Sequence, residues 1–234
     1  MNHVLQGLDG NICLIYLDDI IIFSSTFEQH PFRLLCVLDR LRAANLSLNP
    51  GKCFFGQSSV LFLGHIVSQD GIQPNPEMTQ AVCEFLRPRN VKDVRGFVGL
   101  ASYYSRFAKN FASIATPLTR LTRKNTPFKW DESCQTVFEQ LKATLVSLPI
   151  LAYPNFSQPF HLYVDGSSYG LGFVLGQYIY GKEVVIAYCC RQPNHAEQNY
   201  STTEREALTV VESIQKHQVY VYGRNVSSTL TNTR

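Results

Sequence analysis

The first apolar pattern in the chain is Asn11-Ile-Cys-Leu-Ile-Tyr16-Leu-Asp18-Asp19-Ile-Ile-Ile-Phe23, two β-branched runs joined across a pair of aspartates. Short runs of this kind, interrupted by polar residues, predict a β-hairpin. Phe32, Leu35, Cys36, Leu38 and Leu41 then recur at helical spacing, which predicts a helix from about Phe27 to Ala44. Asn49-Pro50-Gly51 marks a turn. The stretch Ser59 to Val67 reads as a buried strand pair bent at Gly64 and closed by the turn Gln69-Asp70-Gly71.

From Pro76 to about Lys124 the period is helical, with Pro88 and Pro117 as punctuation. Asn90 can cap the helix that carries Val94, Phe97, Val98, Ala101 and Tyr104, and Asp93 sits favourably in its first turn. A further helix is predicted from Glu132 to Val146, stopped by Pro149. The Pro154 to Pro159 region is the predicted linker and domain boundary. After it, Phe160 to Asp165 reads as a strand, and Gly166, Gly170, Gly172 and Gly176 lie between apolar residues as in an antiparallel meander. A capping box, Ser201 with Glu204, starts a helix whose apolar face is expected at Ala207, Val210, Val211 and Ile214. A last strand is expected from about Val226 to Thr231.

Composition narrows the class. With 45% hydrophobic and 17% charged residues in 234, the chain has the make-up of a globular protein that buries one large or two small cores. It contains no apolar stretch of membrane-spanning length, and its start does not read as a secretory signal. No membrane partner and an intracellular location are therefore expected. The seven cysteines are scattered and never spaced as a CxxC pair, so neither a disulfide framework nor a structural zinc site is expected.

The net charge of +3 conceals an asymmetry. Residues 87–124 hold nine basic side chains, Arg87, Arg89, Lys92, Arg95, Arg106, Lys109, Arg120, Arg123 and Lys124, against the single acid Asp93. Such concentration fits a surface for a phosphate backbone, and it equally fits a solvated helical face.

Adjacent aspartates are costly to bury, and along a regular strand they would point to opposite faces. A tight turn resolves the conflict by projecting Asp18 and Asp19 from a hairpin tip. There they form either a polar turn or part of a Mg²⁺ site, since Mg²⁺ is held by one or two carboxylates together with phosphates and waters. Asp165 on a strand and Glu206 on a helix are a second candidate carboxylate pair. Glu204 has a local task in the capping box, which leaves Glu206 free to face the neighbouring strand.

The string Tyr16-Leu17-Asp18-Asp19 resembles the Tyr-x-Asp-Asp motif of reverse transcriptases. Asn49-Pro50-Gly51-Lys52-Cys53, Leu63-Gly64-His65-Ile66-Val67-Ser68, the run Arg95 to Phe107, and Leu151-Ala152-Tyr153-Pro154 follow in order. Together they resemble the Pol region of gypsy-type LTR retrotransposons and related retroelements over essentially the whole chain. The fold so implied is α+β: the C-terminal part of a reverse-transcriptase palm over 1–75, a helical thumb and connecting helices over 76–155, and a truncated ribonuclease H-like α/β domain over 156–234.

By the same resemblance, Asp18 and Asp19 belong to a two-metal site for phosphoryl transfer, with Mg²⁺ or Mn²⁺ as cofactor. Lys52 falls near the nucleotide phosphates as a candidate proton donor, or is a surface lysine after a turn. The bend Phe62-Leu63-Gly64 resembles the primer grip, or is plain core. The basic helices resemble the thumb, which makes primer-template or RNA–DNA hybrid the expected partner. Tyr163-Val164-Asp165-Gly166-Ser167 resembles the first catalytic strand of ribonuclease H, although Gly166 stands where alanine is commoner, and Asn199 to Leu208 resembles the helix with the catalytic glutamate.

Two departures from the family pattern shape the expectation of activity. Only fifteen residues precede Tyr16, so the upstream aspartate motif and the fingers are not in this sequence. Asn232 and Thr233 stand where the family has an aspartate and a histidine, and asparagine brings no negative charge to a metal. The chain alone is therefore expected not to polymerise DNA and to have weak or no ribonuclease H activity. A non-catalytic nucleic-acid-binding remnant is the alternative reading.

Overall fold

The computed structural model describes residues 1–167 and 169–230. The chain divides into two compact units, 1–62 and 63–234.

In the first unit, β1 (Cys13–Tyr16) pairs antiparallel with β2 (Asp19–Ile22), in a register that sets Tyr16 opposite Asp19. Helix α1 (His30–Ala43) follows, with Pro31 in its first turn, where the missing amide hydrogen costs nothing. Its buried side chains are Val37 and Leu41, which join Leu5 and Cys13 in a small core. The expected stripe is only partly right, because Phe32 and Leu35 face outwards at 71% and 55% exposure. The helix starts three residues later than its apolar spacing suggests, and Val37, which breaks that spacing, takes the inward position. Strand β3 (Ser59–Phe62) closes the unit.

The second unit opens with β4 (His65–Ser68) and β5 (Gly71–Pro74), an antiparallel hairpin. Four helices follow that share one core: α2 (Pro76–Cys83), α3 (Val91–Tyr103), α5 (Thr116–Leu121) and α6 (Glu132–Val146), with the short α4 (Phe111–Ile114) before α5. Local sequence sets their starts. The Asn75, Asn90 and Asp131 side chains accept hydrogen bonds from the amides of Glu77, Asp93 and Cys134, satisfying donors that a helix N-terminus leaves free.

Strands β6 (Phe160–Gly166), β7 (Leu171–Ile179), β8 (Lys182–Arg191) and β9 (Val226–Leu230) form a sheet in the order β8-β7-β6-β9, with only the β6–β9 pair parallel. Helix α7 (Thr202–Lys216) packs on β6, and the short α8 (Gln218–Val221) follows it. Along β6, Phe160, Leu162 and Val164 alternate inwards, Val164 meeting Leu208 and Val210 of α7. The other face of the sheet meets the helical part of the unit, where Val185, Tyr188 and Cys190 of β8 pack against the helical core. The stretch expected as a linker, 154–159, runs inside this unit. The buried Gln177 amide holds it by accepting from the Asn155 amide at 2.9 Å and donating to the Asn155 and Gln158 carbonyls.

The packed face of α7 matches the expected one at Val210 and differs elsewhere. Thr209 and Ser213 are buried, whereas Ala207 is exposed and Val211 and Ile214 are about half exposed. Small polar residues can occupy the inner face because their hydroxyls are satisfied within the helix, Thr209 donating to the Arg205 carbonyl and Ser213 to that of Val210.

Candidate metal and nucleic-acid sites

The β1–β2 hairpin closes through a two-residue turn, Leu17-Asp18, and Leu17 adopts φ +54°. A non-glycine residue rarely takes that conformation, so the turn stores strain at the tip. Asp18 lies in the turn and Asp19 opens β2, and both are exposed. Among the described residues neither forms a salt bridge. An exposed carboxylate pair without a cationic partner suits a hydrated divalent ion whose remaining ligands come from water and phosphate. Among the described residues no group of three or more His, Cys, Asp or Glu is arranged to hold an ion by itself.

Lys52 ends a 3₁₀ turn, Pro50–Lys52, whose shape is fixed by the Asn49 side chain accepting from the Gly51 amide at 3.0 Å. Its side chain is exposed. In the second unit, Leu63 and Gly64 both have positive φ, +48° and +68°. The Tyr103 and Tyr104 hydroxyls donate to the Leu63 and Gly64 carbonyls at 2.7 and 2.9 Å. A Cβ on Gly64 would lie 2.7 Å from the Tyr103 hydroxyl, so glycine is required there twice over. His65 stacks on Tyr103 and Phe107, and its Nδ1 donates to the Leu63 carbonyl. Burial, with Arg106 nearby, holds its imidazole below the usual range, so it is neutral at pH 7.

Of the nine basic residues between 87 and 124, eight are exposed and Arg106 is half-buried over the Phe107 ring. Arg95 donates to the Thr122 carbonyl and Arg120 pairs with Asp131 at 3.5 Å. Arg87 lies over Trp130, 5.6 Å from its ring centre.

Asp165 and Glu206, the second candidate pair, flank a close approach of backbone between β6 and α7. Gly166 at the end of β6 sits against α7, where an added Cβ would collide with the Thr209 hydroxyl and come within 3.3 Å of the Arg205 carbonyl. Asp165 and Glu206 each lie one residue from that contact, and Glu206 is half-buried. The capping box is present, with Glu204 accepting from the Ser201 amide at 2.8 Å, so Glu204 is occupied locally. Asn232 and Thr233, the other residues expected at this site, lie outside the described residues.

Asp165 also lines a cleft of about 320 Å³ with Lys109, Asn110, Tyr163, Gly172, Val174, Glu183 and Tyr188. Burial first, then Glu183 and Tyr178 beside it, push the Tyr163 hydroxyl well above its usual range. Lys109 is therefore close to the candidate catalytic strand, a neighbourhood its place in the sequence does not announce. Asn110, in a left-handed conformation at φ +56°, fits its side-chain oxygen against Gly172 where any Cβ would collide. The glycine-rich meander signalled some close approach, but nothing local identified Asn110 as the residue that fills the space. Sequence reading also missed the triad of Arg191, Glu197 and Glu212. Arg191 donates to both Glu197 carboxylate oxygens at 2.6 and 2.9 Å and to Glu212 of α7 at 2.8 Å, all largely buried.

The chain is similar in sequence and fold to known proteins. A family model for reverse transcriptase (RNA-dependent DNA polymerase) matches residues 1–67, and one for an RNase H-like domain found in reverse transcriptase matches residues 130–228. The chain is 38% identical to the retrovirus-related Pol polyprotein from transposon opus of Drosophila melanogaster, over 95% of this chain and 23% of that protein. It is 39% identical to the corresponding polyprotein from transposon gypsy of the same organism, over 95% and 22%. It is 31% identical to the transposon Tf2-3 polyprotein of Schizosaccharomyces pombe, over 94% and 17%. The chain thus spans less than a quarter of these polyproteins. In fold it is similar to the foamy viral protease-reverse transcriptase in complex with RNA/DNA hybrid, with a TM-score of 0.84 and 21% identity over 100% of this chain and 32% of that one. The same enzyme in complex with dsDNA gives a TM-score of 0.83, covering 48% of that chain.

Proposed function

Because this chain belongs to the reverse transcriptase and ribonuclease H region of gypsy-type retroelement Pol polyproteins, we propose that it supplies three working parts of an RNA-directed DNA polymerase with RNA–DNA hybrid endonuclease activity. These are the metal-binding palm hairpin within 1–75, the basic thumb and connecting helices within 76–155, and the catalytic strand and helix of the ribonuclease H-like domain within 156–234. The observation that carries the proposal is the hairpin tip, where a strained two-residue turn presents Asp18 and Asp19 to solvent without a cationic partner among the described residues.

Reverse transcriptases and ribonucleases H generally use divalent metals. In this chain Asp18 and Asp19, and separately Asp165 and Glu206, would hold Mg²⁺ or Mn²⁺. The ion, when bound, activates the attacking oxygen and stabilises charge on the leaving one. The protein's own part is positioning: the strained turn fixes the two aspartates, the Gly166 contact sets the end of β6, which carries Asp165, against α7, and Lys52 offers a proton near the departing phosphates. The exposed arginines and lysines of 87–124 hold the backbone of a primer-template or hybrid. An intracellular place of action completes the proposal.

Each candidate site contributes carboxylates in pairs, whereas phosphoryl transfer depends almost wholly on converging charge and position. This favours, for the chain on its own, binding without turnover. The purified chain should bind RNA–DNA hybrid with an affinity falling steeply with salt, with a log–log slope of about −4 or steeper if five or more phosphates are contacted. Primer extension lost in Asp18→Asn, or hybrid cleavage lost in Asp165→Asn, would show instead that this chain turns over unaided. Salt-independent or absent binding would remove the nucleic-acid role altogether.

A further inference from the structure

A surface cleft of about 510 Å³ lies within the second unit, away from the carboxylates, lined by Leu86, Arg87, Pro88, Arg89, Phe128 and Trp130. Its composition is unusual for a protein surface. Leu86 is 79% exposed, Arg87 and Arg89 are exposed, and the two aromatics are half-buried. Trp130 is fixed in place from behind: its indole N–H donates to the Gln135 side chain at 2.9 Å and the Phe138 ring meets it edge-on at 5.8 Å. What remains of its surface carries the Arg87 guanidinium. Neither Arg87 nor Arg89 has an acidic partner in a salt bridge among the described residues. The acid next to Trp130 in the chain, Asp131, is engaged by Arg120 and by the start of α6.

We propose that this cleft is a subsite for an unpaired nucleotide, resting on the reading that the chain binds nucleic acid. Its base would extend the stack of Arg87 on Trp130, its sugar would lie against Leu86 and Phe128, and its phosphate would meet Arg89. Each part of the lining has a counterpart in that ligand. A phosphate alone has no use for Leu86 or Phe128, and a base within a duplex has both faces covered by its neighbours, so only a single-stranded nucleotide uses the aromatic and the basic walls together. The volume is within the range of small-ligand sites. The occupant is therefore a single-stranded extension of the bound hybrid or primer-template.

The chain has one tryptophan among twelve tyrosines, so emission excited at the red edge, where tyrosine does not absorb, reports on the cleft alone. The experiment compares a blunt RNA–DNA hybrid with the same hybrid carrying a short single-stranded overhang, measuring affinity by anisotropy and Trp130 emission in parallel. The overhang is expected to tighten binding about five- to tenfold, from one stacked base and one phosphate, and to quench Trp130. The ratio of the two affinities should fall to about one in Arg87→Leu and in Leu86→Ser. Because both ligands are measured on the same preparation, a loss of folded protein cancels. Equal affinities with unchanged emission, while the blunt hybrid still binds with the expected salt dependence, would overturn the subsite and leave the nucleic-acid role standing. Failure of either hybrid to bind would overturn both.

Discussion

Arg191→Met is the most incisive test of what holds α7, the helix of the candidate Glu206, in place. Arg191 at the end of β8 clamps Glu197, ahead of the helix, and Glu212 within α7, and the three side chains are only 12–23% exposed. Removing the arginine leaves two carboxylates facing each other with little water to screen them. Loss of one partner from a buried ion pair costs about 3–5 kcal/mol, and the residual exposure here argues for the lower part, about 3 kcal/mol. In a unit of this size that corresponds to a fall in Tm of roughly 6–12 °C.

The pH dependence gives the sharper signature. Hydrogen bonds and charge from Arg191 hold Glu197 and Glu212 below the ordinary glutamate value of 4.5. The stability they contribute is therefore present above that value and is lost as the pH falls through their lowered folded-state values. In Arg191→Met the lowering disappears and the carboxylates repel, so protonation relieves the variant. The gap between the two proteins should be widest at neutral pH and narrow as the pH falls below 4.5, through the lowered values of the two glutamates. Urea denaturation from pH 3 to 8 measures it. A loss under about 1 kcal/mol at pH 7, or a gap that does not narrow in acid, would refute the assignment of the triad as the anchor of α7.

Two further perturbations probe the local chemistry. Leu17 has left-handed φ, so Leu17→Asn should stabilise the hairpin by about 1 kcal/mol and Leu17→Val should destabilise it, read from urea midpoints; a Leu17→Val protein as stable as the parent would show that the turn carries no strain. Hydrogen bonds from the Cys134 amide and the Ser133 hydroxyl lower Asp131 from 3.8 to about 2. Its contribution is present above 3.8 and fades as the pH falls towards 2, so Asp131→Ala should lower Tm at neutral pH and lose that difference near pH 2.

Local signals were read well from the sequence and distant ones were not. The Asn90, Asp131 and Ser201–Glu204 caps depend on residues two to three apart, and α6 runs from Glu132 to Val146 as its periodicity predicts. The Asp18-Asp19 turn follows from its own flanks. By contrast, the inner face of α7 follows the apolar spacing only at Val210, because that spacing assumes that polar residues point outwards, whereas Thr209 and Ser213 satisfy their hydroxyls on their own helix. Lys109 beside Asp165, Asn110 against Gly172 and Arg191 against Glu212 join residues far apart in the chain. Nothing in either partner's neighbourhood names the other.

The contact between Gly166 and Thr209 links two positions that sequence comparison would treat as separate. An alanine at 166 and a threonine at 209 ask for the same volume, so the pair can change together more readily than either can change alone. Lineages with alanine at the first position should carry alanine or glycine at the second, and the intermediate that combines alanine with threonine should be rare. The glycine beside Asp165 is then one half of a correlated pair, and the order in which the two substitutions arose becomes a question that related retroelement sequences can answer.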